Sequence, residues 1–95
     1  MAELIEKIKE KFSSVNGFEG ISFTENLNYP MMEVPKERLR EICTMLRDDF
    51  QIEQLRDIVS VDRFTKTERF ESIYNLYSLT HRFRLFVKVK LDSKN

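Results

Sequence analysis

Apolar residues recur along this chain with two different periods, and the changes of period mark its elements. Between residues 2 and 13, Leu4, Ile5, Ile8 and Phe12 fall at helical spacing with Glu and Lys on the other side, which predicts an amphipathic helix. Asn16-Gly17 and Glu19-Gly20, which hold the chain's only two glycines, break it. Residues 21–29 switch to period two. Ile21, Phe23 and Leu27 lie on one face and Ser22, Thr24, Asn26 and Asn28 on the other, the pattern of a strand. Tyr29-Pro30 interrupts it, and Met31 to Val34 reads as a short second strand, with Pro30 marking either an edge or a strand start.

Pro35 suits the first turn of a second helix, where a missing N–H costs nothing. Leu39, Ile42, Cys43 and Leu46 then form a single apolar stripe. The acids Asp48 and Asp49 oppose the helix dipole and predict its end. Three strands follow. Leu55 to Phe64 is rich in Ile and Val, and Arg69 to Leu79 comes after the polar connection Thr65 to Glu68. In the third, Phe83, Leu85, Val87, Val89 and Leu91 face one way and Arg84, Phe86, Lys88 and Lys90 the other. Short connections imply antiparallel hairpins. The order is α-β-β-α-β-β-β: two helices on one face of a mostly antiparallel sheet, a two-layer α+β sandwich. The tail Asp92 to Asn95 is polar and expected to fray.

Length changes this picture little. With 95 residues and no linker, repeat or low-complexity tract, residues 1–95 make a single domain. A chain of this size buries only about 60–68% of its unfolded surface, so one core is expected with little to spare. The hydrophobic fraction of 41% and charged fraction of 34% fit a globular domain. No apolar run approaches the roughly 18 residues of a membrane helix, and the amino terminus lacks the apolar core of a signal peptide.

Sixteen basic residues balance sixteen acidic ones, so no whole-chain field draws the protein to nucleic acid or membrane. The distribution is uneven. Residues 1–60 hold 8 basic and 12 acidic groups, net −4, and residues 61–95 hold 8 basic and 4 acidic, net +4. A basic final third fits either a solvated face or contact with an acidic partner surface.

Candidate chemistry is sparse. The only histidine, His81, sits at a hairpin connection, and the only cysteine, Cys43, lies on the apolar stripe of the second helix. A zinc or iron–sulfur site needs several such ligands together. A lone cysteine allows no internal disulfide and suits a reducing compartment. Two glycines cannot build a phosphate loop, no serine stands in a nucleophile elbow, and Asp48-Asp49 reads as a helix end rather than an acid–base pair. The chain is expected to hold no cofactor or metal and to be non-catalytic by itself.

Interaction is the reading the residues favour over catalysis. The outward face of the last strand offers Arg84, Phe86, Lys88 and Lys90, with Tyr74 and Tyr77 on the strand before it. Arginine and aromatics in one patch are typical interface anchors. An ordinary wet sheet face is the alternative, which antiparallel sheets tolerate. The run Arg82 to Val89 also has the basic and aromatic spacing of an RNA-recognition strand. Arg84 and Leu85 stand where that motif needs small residues, and the element order differs.

From Leu39 to Leu91 the chain carries a series in order: Leu39-Arg40-Glu41-Ile42-Cys43 through Leu46 and Phe50; Leu55-Arg56-Asp57-Ile58-Val59-Ser60-Val61-Asp62; Arg69-Phe70-Glu71 with Tyr74-Asn75-Leu76; and Arg84-Leu85-Phe86-Val87-Lys88-Val89. By that series it resembles the C subunit of respiratory complex I, the thirty-kilodalton family of NADH:quinone oxidoreductases. It implies an α+β domain in the hydrophilic arm, peripheral on the cytoplasmic side of the inner membrane. The domain would carry no flavin or cluster and would brace the large quinone-site subunit and iron–sulfur subunits. The family continues into a segment with an acidic-arginine-glycine signature and a histidine-proline pair, which is absent before Asn95. A homologous subunit of a membrane-bound nickel–iron hydrogenase or formate hydrogenlyase, and a small nucleic-acid-binding module, are the alternatives. Asp62 and Arg69 match the family pattern at strand ends, where Asp62 either ties the turn through side-chain hydrogen bonds or touches a neighbour. Tyr74 and Leu76 are expected to serve packing. The candidate partner interface is therefore Asp62, Arg69, Tyr77, Arg84, Phe86, Lys88 and Lys90.

Overall fold

The computed structural model describes residues 2–14, 21–26, 28–62 and 70–91. Helix α1 spans Ala2–Ser14 and α2 spans Leu39–Phe50; the strands are β1 (Ser22–Asn26), β2 (Tyr29–Val34), β3 (Gln54–Asp62), β4 (Phe70–Ser78) and β5 (Phe83–Leu91). The α-β-β-α-β-β-β order and the α+β class are those the sequence predicts. The glycine turn, Leu27, the Thr65 to Glu68 connection, Arg69 and the polar tail lie outside the described residues, as do the side chains of Asp62 and Leu91.

The five strands form one sheet in the order β1-β2-β5-β4-β3. All neighbours are antiparallel except β2 and β5, which run parallel, Met31 opposite Phe86 and Val34 opposite Val89. The last strand therefore sits in the middle. Pro30 marks a strand start, one of the two settings its position allows, but β2 is interior rather than an edge.

One face of the sheet carries the core. Leu4, Ile8 and Phe12 of α1 and Ile42 and Leu46 of α2 pack with Met32, Val34, Leu76, Phe83, Leu85, Val87 and Val89. The alternation expected of β5 holds: Phe83, Leu85, Val87 and Val89 are at most 4% exposed. Each such side chain contributes about 1.5–3 kcal/mol by leaving water. Tyr74 packs against the same core, opposite Val87, so it faces away from Tyr77.

Helix α2 begins later than Pro35 suggests. Lys36–Arg38 form a single 3-10 turn closed by the Arg38 N–H donating to the Pro35 carbonyl at 3.0 Å, and the α-helix starts at Leu39. The helix also runs past the two acids to Phe50. Asp48 is held by Arg47 at 2.9 Å and Asp49 lies 3.7 Å from Lys11. Its stop is Gln51, left-handed at φ 56, where the Gln51 and Ile52 N–H groups donate to the Arg47 and Leu46 carbonyls.

Candidate docking surface

Because both helices cover one face, residues of opposite parity on β2, β4 and β5 gather on the other. Register places Tyr77 opposite Arg84, Asn75 opposite Phe86, Ile73 opposite Lys88 and Glu71 opposite Lys90. The parallel ladder adds Met31 beside Phe86 and Glu33 beside Lys88. Five of the seven interface residues expected from sequence, Tyr77, Arg84, Phe86, Lys88 and Lys90, thus share one surface. Asp62 ends β3 opposite Phe70, and Arg69 falls outside the described residues.

Strand β3 joins this face through a register break. Leu55 pairs with Leu76 on the core side, and the next pair is Asp57 with Asn75 on the open side. Arg56 is the extra residue of this bulge. Its guanidinium lies 4.6 Å from the centre of the Tyr77 ring. Arg84 lies 5.9 Å from Tyr77 and 5.2 Å from Tyr29. A row Arg56–Tyr77–Arg84–Tyr29 therefore crosses four strands, each guanidinium within cation–π reach of a ring.

Burial divides this face. Phe86, expected from the sequence as an outward anchor, is only 8% exposed: Tyr29 meets it edge-on at 6.2 Å and Met31 flanks it. Tyr29 is 42% exposed and Val59 51%. Glu33 neutralises part of the basic stripe, lying 3.6 Å from Lys88 and 3.5 Å from Lys90. Ion pairs that keep contact with water, as these do, add little stability. The Arg84 Nε and Asn75 Oδ1 atoms are buried without a hydrogen-bond partner, and such orphaned groups call for an explanation.

Away from this face, chemistry is limited. Burial pushes the Cys43 thiol above its ordinary range, which keeps it protonated and unreactive at neutral pH. His81 Nε2 lies 2.9 Å from Gln51 Oε1, and the His81 N–H donates to Ser78 Oγ at 3.1 Å, so this residue fastens the β4–β5 turn to the end of α2. Among the described residues, no group of three His, Cys, Asp or Glu side chains converges as a metal site would need. No described helix is long and apolar enough to cross a membrane.

Sequence reasoning missed Tyr29, Met31, Glu33 and Arg56. The first three reach the face only through the parallel β2–β5 pairing, which brings together residues more than fifty positions apart. Arg56 reaches it only through the bulge. No local pattern signals either.

Fold and surface together define a class: a small α+β sandwich with one sheet face sealed by helices and the other set with arginines and tyrosines. Residues 32–95 match the family model described as respiratory-chain NADH dehydrogenase, 30 Kd subunit. Similar proteins include the C 2 subunit of the NADH-quinone oxidoreductase of Rhizobium etli (strain CIAT 652), 43% identical over 60 residues, 61% of this chain and 32% of that protein. The C subunit of the same enzyme from Citrifermentans bemidjiense is 32% identical over 85 residues, 90% of this chain and 50% of that protein. The C/D subunit from Bdellovibrio bacteriovorus is 29% identical over 87 residues, 92% of this chain and 16% of that protein. The chain belongs to the family of 30 Kd subunits of respiratory-chain NADH dehydrogenase. It spans half or less of the length of these relatives.

Proposed function

We propose that the chain is a packing and docking domain of NADH:quinone oxidoreductase, a module of its C subunit that braces its neighbours and holds no redox group. Its place would be the hydrophilic arm, peripheral to the membrane, with the large quinone-site subunit as chief partner. Family membership supports the complex. The open sheet face supports the mode of attachment, and the observation that carries it is a pair of buried, partnerless atoms on adjacent strands of that face, Arg84 Nε and Asn75 Oδ1. A partner that drew the Arg84 and Asn75 side chains outward and supplied an acceptor and a donor would satisfy both atoms, removing a penalty of about 1–3 kcal/mol for each. Tyr and Arg are also the residues most often found as interface anchors. An RNA partner fits less well, because Phe86 is covered by Tyr29 and cannot offer its ring to a base.

Co-expression with the large quinone-site subunit tests this. A stable complex should form, and Tyr77→Ala and Arg84→Glu should each weaken it at least about tenfold, the effect of a truncated anchor. Failure to co-purify, or binding of single-stranded RNA with a steep salt dependence, would overturn the reading.

A further inference from the structure

The β2–β5 ladder does not run the length of its strands. β2 starts at Tyr29 and β5 at Phe83, yet the first parallel pair is Met31 with Phe86. Pro30, which precedes that pair, has no N–H to offer a neighbour. Where the strands remain unpaired a cleft of about 520 Å³ opens, walled by Tyr29, Pro30, Phe83 and Arg84 and, from α1 and β1, by Ile5, Lys9 and Phe23. That volume lies within the range of small-ligand sites.

Its charge is lopsided. Among the described residues, Lys9, Arg82 and Arg84 line the cleft against one acid, Glu25. Lys9 is partly engaged, 3.7 Å from Glu6 and 5.8 Å above the Phe23 ring. Arg82 and Arg84 have no ion pair among the described residues. The Arg84 guanidinium lies over the Tyr29 ring at 5.2 Å, and its Nε is buried with no hydrogen-bond partner. Of the three non-glycine residues with positive φ among those described, Asn28 (φ 69) and Arg82 (φ 51) both line this cleft. Asn28 and Arg82 are turn residues that close the β1–β2 and β4–β5 hairpins, where a left-handed residue is commonly needed.

We propose that this cleft binds a small organic anion, a carboxylate or phosphate monoester carried on an aromatic or aliphatic body. The planar guanidinium forks of Arg82 and Arg84 meet the oxyanion. Phe23, Phe83 and Ile5 hold the apolar body, and Glu25, the acid in the described lining, disfavours a second negative charge. The site shares Arg84 and Tyr29 with the docking face, so a partner that engaged the Arg84 guanidinium there would compete with the anion for it.

Titration of the 15N-labelled chain, followed by NMR, tests it with three probes: phenyl phosphate, benzoate and the uncharged benzyl alcohol. Both anions should give saturable shifts centred on Thr24, Asn28 and Arg84, and benzyl alcohol should bind at least about tenfold more weakly, the loss expected when charge-assisted hydrogen bonds are removed. The headgroup preferred identifies carboxylate or phosphate as the natural anion. Arg82→Gly, which also relieves the left-handed backbone and so spares the fold, should weaken binding at least about threefold. Arg84→Lys, which keeps the charge and loses the fork, should do the same. Lys36→Gln, on the 3-10 turn, should change nothing. Equal binding of benzyl alcohol, shifts scattered over surface lysines, or indifference to both arginine substitutions would each overturn the proposal.

Discussion

Cys43 shows how little a residue's chemistry can be read apart from its surroundings. In sequence it is one apolar position of four on a helical stripe. In the fold it is half-buried beside the core, and burial raises its thiol above the ordinary range. Two results are expected. Alkylation by iodoacetamide at pH 7.5 should be at least about tenfold slower than in the urea-unfolded chain, because the thiolate is the nucleophile. The sign of the pH dependence also follows. A group whose folded value is raised stabilises the fold fully below its unfolded value, about 8.5, and loses that contribution as pH rises through the folded value. The urea midpoint of the native chain should therefore drop more steeply above pH 8.5 than that of Cys43→Ala. Equal slopes would mean the thiol is not desolvated. Phe86 makes the complementary point. Strand alternation assigns its face correctly, but Tyr29 and Met31 cover it, and no reading of β5 alone supplies them.

The strands differ in how far sequence determines their setting. β5 was legible to the residue, because both its edges are paired and one of its faces is sealed, so strict alternation is enforced at every position. β3 was legible as a strand but not in its register, since an edge strand with one neighbour can absorb a bulge at Arg56. β2 was legible as a short strand, while its interior position was hidden: a parallel neighbour arrives by a crossover through α2, β3 and β4. A pair of equivalent substitutions measures this contrast. Leu85, with no exposure, should cost about 2–5 kcal/mol when changed to Ala, whereas Leu55, 54% exposed on β3, should cost less than about 1 kcal/mol. Chemical denaturation of the two variants checks it, and a loss at Leu55 matching that at Leu85 would mean that the β3 end of the sheet is sealed by something the described residues do not include.

At the scale of the molecule, order in the chain and order in the sheet diverge. Met31 meets Phe86, 55 positions later, and within the sheet the β1–β2 pair joins the β3–β4 pair through β5. Removing residues 83–95 should therefore abolish folding altogether rather than trim an edge, because it divides the sheet into two hairpins, neither of them stable alone. Circular dichroism of the shortened chain should show no cooperative thermal transition; a surviving transition would mean the two halves fold independently. The placement of β5 also bears on how the protein is made. A ribosome delivers the two helices and four outer strands before the strand that joins them. The nascent chain must then hold Leu4, Ile8, Met32 and Leu46 without their shared partner until Val89 has left the exit tunnel. For that interval the amphipathic helices are the natural target of a holding chaperone, and codon choice in and just after the stretch that encodes β5 would set how long the exposure lasts.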